Sequence, residues 1–124
     1  MQLLPLSASQ IVRAYDENSI LIGETRYTGS IWLLPDMLPL PWEVRAFDAL
    51  TVRNFDVILS RAPDVLLVGT GNTQRFLCDA LLAELLAYGV GVECMPNRSA
   101  CGTFNLLAGE GRRVALALCT SHGY

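Results

Sequence analysis

The chain has 124 residues, with nine Lys or Arg against twelve Asp or Glu, so it is the size of one domain carrying a net charge of −3. Its hydrophobic content of 52% and mean hydropathy of +0.35 are high for a water-soluble chain, yet no apolar run reaches the roughly 18–20 residues that cross a bilayer, since Asp79 and Glu84 interrupt Leu77–Cys94. The basic residues are scattered, with only Arg112 and Arg113 adjacent and no aromatics between them, which argues against a nucleic-acid surface.

The first third reads as a β-meander. Ile11–Tyr15 and Ser19–Ile22 flank the turn-forming Asp16-Glu17-Asn18, and Arg26–Thr28 and Ser30–Leu34 follow around Gly23 and Gly29. Pro35–Pro41 holds three prolines in seven residues and must be an extended or irregular connector, which Trp42 pins to the core. A first helix is expected after Leu50, with Thr51 as N-cap, Phe55, Ile58, Leu59 and Ala62 at helical spacing, and Pro63 as its stop.

From Val65 onward the pattern becomes strand, glycine turn, helix, strand, helix, strand. Val65–Val68 is a polar-free run of the kind buried on both faces of a sheet. A helix is expected from about Thr73 to Tyr88 with Gly89 at its stop, then a strand over Val90–Cys94, a helix from about Ser99 to Leu107 ending at Gly109, and a last strand over Val114–Cys119. This βαβαβ half makes the chain an α/β protein. Parallel strands would bring three loops to one sheet edge, where open α/β sheets place ligands.

Two of those loops carry candidate chemistry. Gly69-Thr70-Gly71-Asn72-Thr73 is read as a strand-to-helix turn that presents free N–H groups to an anion, with Arg75 nearby. The dinucleotide fingerprint is incomplete, because Gln74 takes the third glycine position, and no Walker lysine follows. In Asn97–Asn105, either Asn97 or Ser99 is a candidate cap, and Cys101 falls in the first helical turn, where a thiolate is favoured. His122 is the candidate base for such a nucleophile, although no third group orients it and it is also readable as a frayed tail. Asn105 is read first as a partner for neighbouring backbone and second as a ligand contact. The candidate ligand-binding set is therefore Gly69, Thr70, Gly71, Asn72, Ser99 and Asn105, and Cys101 with His122 is the only candidate catalytic pair.

Cys78, Cys94, Cys101 and Cys119 show no two-residue spacing, and there is one histidine, so neither a metal site nor disulfides nor any cofactor is expected. The N-terminus, Met1–Pro5, lacks the basic flank and apolar segment of a signal peptide, which points to the cytoplasm without membrane insertion. Surplus apolar surface points to a protein partner or a homodimer.

Three blocks taken together, Val65–Gly71, Ser99–Leu107 and Glu110–Ala115, resemble a family of small domains of unknown function, the Mth-type family. It occurs in bacteria, archaea and mitochondria and includes the mitochondrial complex I assembly factor three and an adipogenesis-associated Mth domain-containing protein. Gly23, Tyr27–Ser30 and Pro41-Trp42 fit the same pattern, so the resemblance spans nearly all of residues 1–124, read as a single domain. It implies a three-layer α/β fold with a central mixed sheet and a β-rich layer. It implies no catalytic mechanism. Gly102 departs from the family, whose members usually carry a larger, often basic residue there, and the mitochondrial targeting extension has no counterpart. The function expected is a non-enzymatic accessory or protein-interaction domain, linked by resemblance to respiratory-complex assembly. The alternative is a protein that binds an anionic or carbonyl ligand, or a cysteine-dependent enzyme, at the strand ends.

Overall fold

A computed structural model describes residues 11–16, 19–44 and 46–119. In chain order these form β1 (Val12–Tyr15), β2 (Ser19–Ile22), β3 (Thr25–Thr28), β4 (Ile31–Leu33) and β5 (Leu40–Pro41). Two 3-10 turns (Phe47–Ala49 and Val52–Phe55) lead into α1 (Asp56–Ser60). The remainder is β6 (Val65–Gly69), α2 (Asp79–Leu86), β7 (Gly91–Met95), α3 (Asn97–Gly109) and β8 (Val114–Leu118).

The meander forms, but with three strands. β1, β2 and β3 pair antiparallel, and the Asp16 carboxylate closes the first corner by accepting the Ser19 N–H at 2.8 Å. The fourth expected strand, β4, leaves them and pairs antiparallel with β8, in a five-stranded sheet ordered β5-β4-β8-β6-β7. The cause is composition: Ile31, Trp32 and Leu33 are all buried, and three consecutive large apolar residues need cover on both faces. β6 lies parallel to both β7 and β8, so the central sheet is mixed. Pro41 sits on the outer strand β5, where its missing N–H breaks no ladder.

Strand alternation sorts the core into two layers. Trp32, Leu66, Val68, Ala115 and Ala117 face one side, where they meet Trp42, which follows β5, and Phe55, Ile58, Leu81 and Leu85 from the second 3-10 turn, α1 and α2. Ile31, Leu33, Leu67, Leu116 and Leu118 face the other, against Phe104 of α3 and Ile20 and Ile22 of β2. This is the three-layer arrangement. Trp42 pins the proline connector as expected: its Nε1 donates to the Asn54 carbonyl at 2.6 Å, and its ring tilts against Phe55 with centroids 5.3 Å apart.

Helix starts differ from the sequence reading. Thr51 precedes a 3-10 turn, held by the Asn54 carboxamide accepting the Thr51 N–H at 2.8 Å, and α1 proper begins only at Asp56. The helix expected from Thr73 begins at Asp79. Residues 72–78 run without helical structure because two side chains tie them to their surroundings: Gln74 Nε2 donates to the Cys94 carbonyl of β7 at 2.9 Å, and Leu77 is buried in the core. The last helix starts two residues early, directly after Pro96, and ends at Gly109 as expected.

Candidate functional site

The connections after β6 and β7 depart to opposite faces of the sheet, α2 on one and α3 on the other. Such a reversal opens a crevice at the carboxyl ends of the strands, the usual ligand position in this class of fold. Here the floor of the crevice is filled by Asn97. Pro96 and the first turn of α3 aim its carboxamide inward, and the residue is fully buried. Its Oδ1 accepts the Gly71 N–H at 3.0 Å, and its Nδ2 donates to the Cys119 carbonyl at 2.7 Å and the Tyr15 hydroxyl at 3.0 Å. Its own N–H donates to the Gly71 carbonyl at 2.8 Å. One side chain thereby joins the ends of β6, β8 and β1 to the start of α3.

The glycine turn is shaped around that carboxamide. A Cβ on Gly69 would overlap Asn97 Oδ1 and the Leu118 side chain, so only glycine fits between them. Gly71 sits at φ +97°, a conformation that disfavours any side chain. Thr70 is buried: its N–H donates to the Met95 carbonyl at 2.9 Å and its hydroxyl to the Thr73 carbonyl at 2.6 Å. The expected donors for an anion, the N–H groups of a helix opening at Thr73, are not at the turn, since α2 begins at Asp79. Arg75 is engaged elsewhere, with its guanidinium 4.7 Å above the Phe47 ring and 2.9 Å from the Asp48 carboxylate.

Cys101 was expected to present a thiolate at a helix N-terminus. It faces the core instead and is 5% exposed, and burial pushes its thiol up to about 12 against a small opposing effect of Arg98. Desolvation dominates because the charged form has lost its water, and with α3 starting at Asn97 the thiol lies beyond the first turn, where a helix end no longer favours a thiolate. Cys119 is raised to about 12 by the same cause. His122, the proposed base, lies outside the described residues. No group of three or more His, Cys, Asp or Glu able to hold a metal occurs among the described residues.

Asn105 makes the backbone contact that the sequence favoured. Its carboxamide mimics a strand neighbour, accepting the Val12 N–H at 2.9 Å and donating to the Val12 carbonyl at 2.8 Å, which clips β1 onto α3. Ser99 is exposed and caps nothing, because Pro96 occupies the N-cap position of α3. Of the six candidate ligand residues, Gly69, Thr70 and Gly71 meet at the crevice, Asn72 stands exposed at its rim, and Ser99 and Asn105 lie elsewhere on α3. Outside the filled floor is a cleft of about 200 Å³ lined by Tyr15, Asp16, Gly71, Asn72, Pro96 and Arg98. The residue that sequence reasoning undervalued is Asn97, seen there only as a cap. A carboxamide between a buried strand and a helix was its one legible signal.

Known proteins resemble this chain over most of its length. The family model described as "Protein of unknown function (DUF498/DUF598)" matches residues 12–119. The rat protein "NADH dehydrogenase [ubiquinone] 1 alpha subcomplex assembly factor 3" is 30% identical over 114 residues, covering 90% of this chain and 61% of the relative, so the chain spans about three fifths of that protein's length. A Xanthomonas campestris protein solved by NMR superposes with a TM-score of 0.80 at 39% identity, over 90% of this chain and 84% of the other. A Bordetella pertussis Mth938-like domain, also solved by NMR, gives 0.78 at 31% identity over 91% and 87%. The resemblance read from Val65–Gly71, Ser99–Leu107 and Glu110–Ala115 is therefore borne out in sequence and in fold. The chain belongs to the DUF498/DUF598 family, whose members include Mth938-like domains.

Proposed function

We propose that residues 1–124 form one non-enzymatic accessory domain that holds a protein partner during assembly of a respiratory complex. The observation that carries this reading is Asn97: a buried, hydrogen-bonded carboxamide fills the floor of the crevice where this topology would seat a substrate, and only a cleft of about 200 Å³ is left outside it. The raised thiol of Cys101 supports it by removing a nucleophile at neutral pH. The link to respiratory assembly rests on the rat relative, whose name is that of an NADH dehydrogenase [ubiquinone] assembly factor. The domain works in the cytoplasm, without metal or cofactor. Among the described residues no helix is long and apolar enough to cross a membrane.

The test is removal of the gene from cells that make the protein, followed by native-gel quantification of complex I and its NADH:ubiquinone oxidoreductase activity. The assembly reading expects both to fall together by severalfold. Unchanged amount and activity overturn it.

One observation favours a second reading. The 200 Å³ cleft holds the Arg98 guanidinium 6.0 Å from the Tyr15 ring, with Asp16 also in its wall, so a cation beside an aromatic face is set to receive a small carbonyl-bearing or anionic ligand on the Arg98 side. A thermal-shift screen of small carboxylates and phosphates, with Arg98→Ala as control, decides it. Stabilisation lost in the variant supports ligand binding, and no stabilisation by any compound removes it.

A further inference from the structure

Between Arg75 and Arg98 the chain carries no cation, and its charged residues there are Asp79, Glu84 and Glu93. That stretch builds α2 and the edge strand β7, and both charges on α2 itself, Asp79 and Glu84, are acidic, while Glu93 alternates with Val92 and Cys94 and so faces away from α2. The same stretch leaves large apolar groups in solvent: Phe76 is 77% exposed, Tyr88 62% and Leu86 49%. Leu81 and Leu85 anchor the inner side of α2 in the core, while the outward positions hold Ala80, Ala83, Leu86 and Ala87 beside Asp79 and Glu84. Phe76 is not on a slack tip. The adjacent Leu77 is buried, and Gln74 is bonded to the β7 backbone. Next to it opens a groove of about 240 Å³ walled by Phe47, Leu50, Leu77 and Leu81. A large aromatic on a fixed backbone beside an apolar groove is the anchor-and-slot geometry by which amphipathic segments are bound.

We propose that the outer face of α2 and the groove beside Phe76 dock a segment of another protein, apolar along one side and rich in Lys or Arg along its edges. This deepens the assembly reading, from which it takes only the existence of a protein partner. Charge selects the occupant. A second copy of this chain would set Asp79 and Glu84 against an equally acidic face, and juxtaposed like charges oppose association. A cationic rim pairs with them. Asp48, at the mouth of the groove, is already neutralised by Arg75, so the carboxylates left for a partner are those on α2.

The probe is a 14-residue helical Leu/Lys peptide with leucine on one face, compared with its Leu/Glu counterpart, read by amide chemical shifts and fluorescence anisotropy. Shifts concentrated on Phe76–Tyr88 are expected, with affinity at least tenfold weaker for Phe76→Ser or Ala83→Arg and unchanged for Glu24→Gln. Both α2-flank variants alter exposed positions, and a melting curve matching the wild type verifies their fold. Shifts elsewhere, equal binding of the Leu/Glu peptide, or an inert Phe76→Ser overturn the proposal. In cells, a benzophenone side chain at Ala83, with exposed Leu106 on α3 as the control position, is expected to cross-link to a Lys- or Arg-flanked apolar segment of a different protein. An adduct with a second copy, an equal yield from Leu106, or no adduct overturns it. Loss of complex I on gene removal without an Ala83 adduct refutes this surface and leaves the assembly reading standing. An adduct with complex I unchanged does the reverse.

Discussion

Replacing Asn97 by leucine keeps roughly the volume of the side chain and deletes its hydrogen bonds. The Gly71 N–H and the Cys119 carbonyl, both on buried residues, then lose the partners at 3.0 and 2.7 Å. Each stranded buried group costs about 1–3 kcal/mol, and the half-buried Tyr15 hydroxyl can turn to water at little cost. Leucine's added apolar contact offsets part of this, leaving a net loss of about 3 kcal/mol, a large share of the roughly 5–15 kcal/mol that holds a domain together. At about 3–5 °C per kcal/mol for a chain of this size, Tm falls by about 10 °C. Urea and thermal unfolding followed by circular dichroism measure the loss, and amide exchange should show protection vanishing first at Gly71. A stability within about 0.5 kcal/mol of wild type would refute the claim that this carboxamide holds the floor of the crevice together. Asn97→Asp separates volume from hydrogen bonding. The introduced carboxylate still accepts from Gly71 but cannot donate to Cys119 when ionised, and burial raises its folded pKa above the unfolded value of about 3.9. Stability is then best below about pH 4 and lost as pH rises, the sign expected of a folded-state pKa that is raised.

Gly69→Ala forces a methyl against Asn97 and Leu118 and should cost about 1–3 kcal/mol by equilibrium unfolding, and full stability would show that the contact yields. Asn105→Ala removes both bonds to Val12, so exchange should accelerate in β1 and β2 while β6 stays protected, with a loss of about 1–2 kcal/mol. Uniform acceleration across the sheet would contradict that local role. At pH 8, iodoacetamide should label exposed Cys78 promptly and reach Cys101 and Cys119 only on unfolding, as read by mass spectrometry; early labelling of Cys101 would overturn its burial. Because those two thiols rise from 9.0 to about 12 on folding, their contribution is complete below pH 9 and is lost between pH 9 and 12, so alkaline unfolding should begin in that window.

Where periodicity and flanking residues agree, the sequence alone was enough. The aliphatic runs of β6 and β8 have no polar member, and their burial on both faces follows from that. Gly109 marks the end of α3, and Trp42 had one sensible destination. The start of α2 was hidden because Thr73–Cys78 is compatible with a helix, and only tertiary bonds through Gln74 and Leu77 hold it out of one. Strand β4 looked like a fourth meander strand because its partner, β8, lies more than eighty residues away in the chain. The site was less legible than the fold. Glycines at positions 69 and 71 signal a close approach but not what approaches, and the answer, a carboxamide from Asn97, comes from a residue more than twenty positions away. Cys101 misled for a related reason. Its place near a helix start is visible in sequence, whereas its facing into the core depends on where the helix packs.

The most direct measurement of the central claim is complementation. Cells lacking the gene receive either the wild-type chain or the Cys101→Ala variant, and complex I is quantified by native gel and by NADH:ubiquinone oxidoreductase activity. Both chains are expected to restore complex I equally if the domain acts, as proposed, by holding a partner, since the buried Cys101 thiol would then serve only packing. Complex I that never depended on the gene, or a folded Cys101→Ala protein that fails to restore it, contradicts the account.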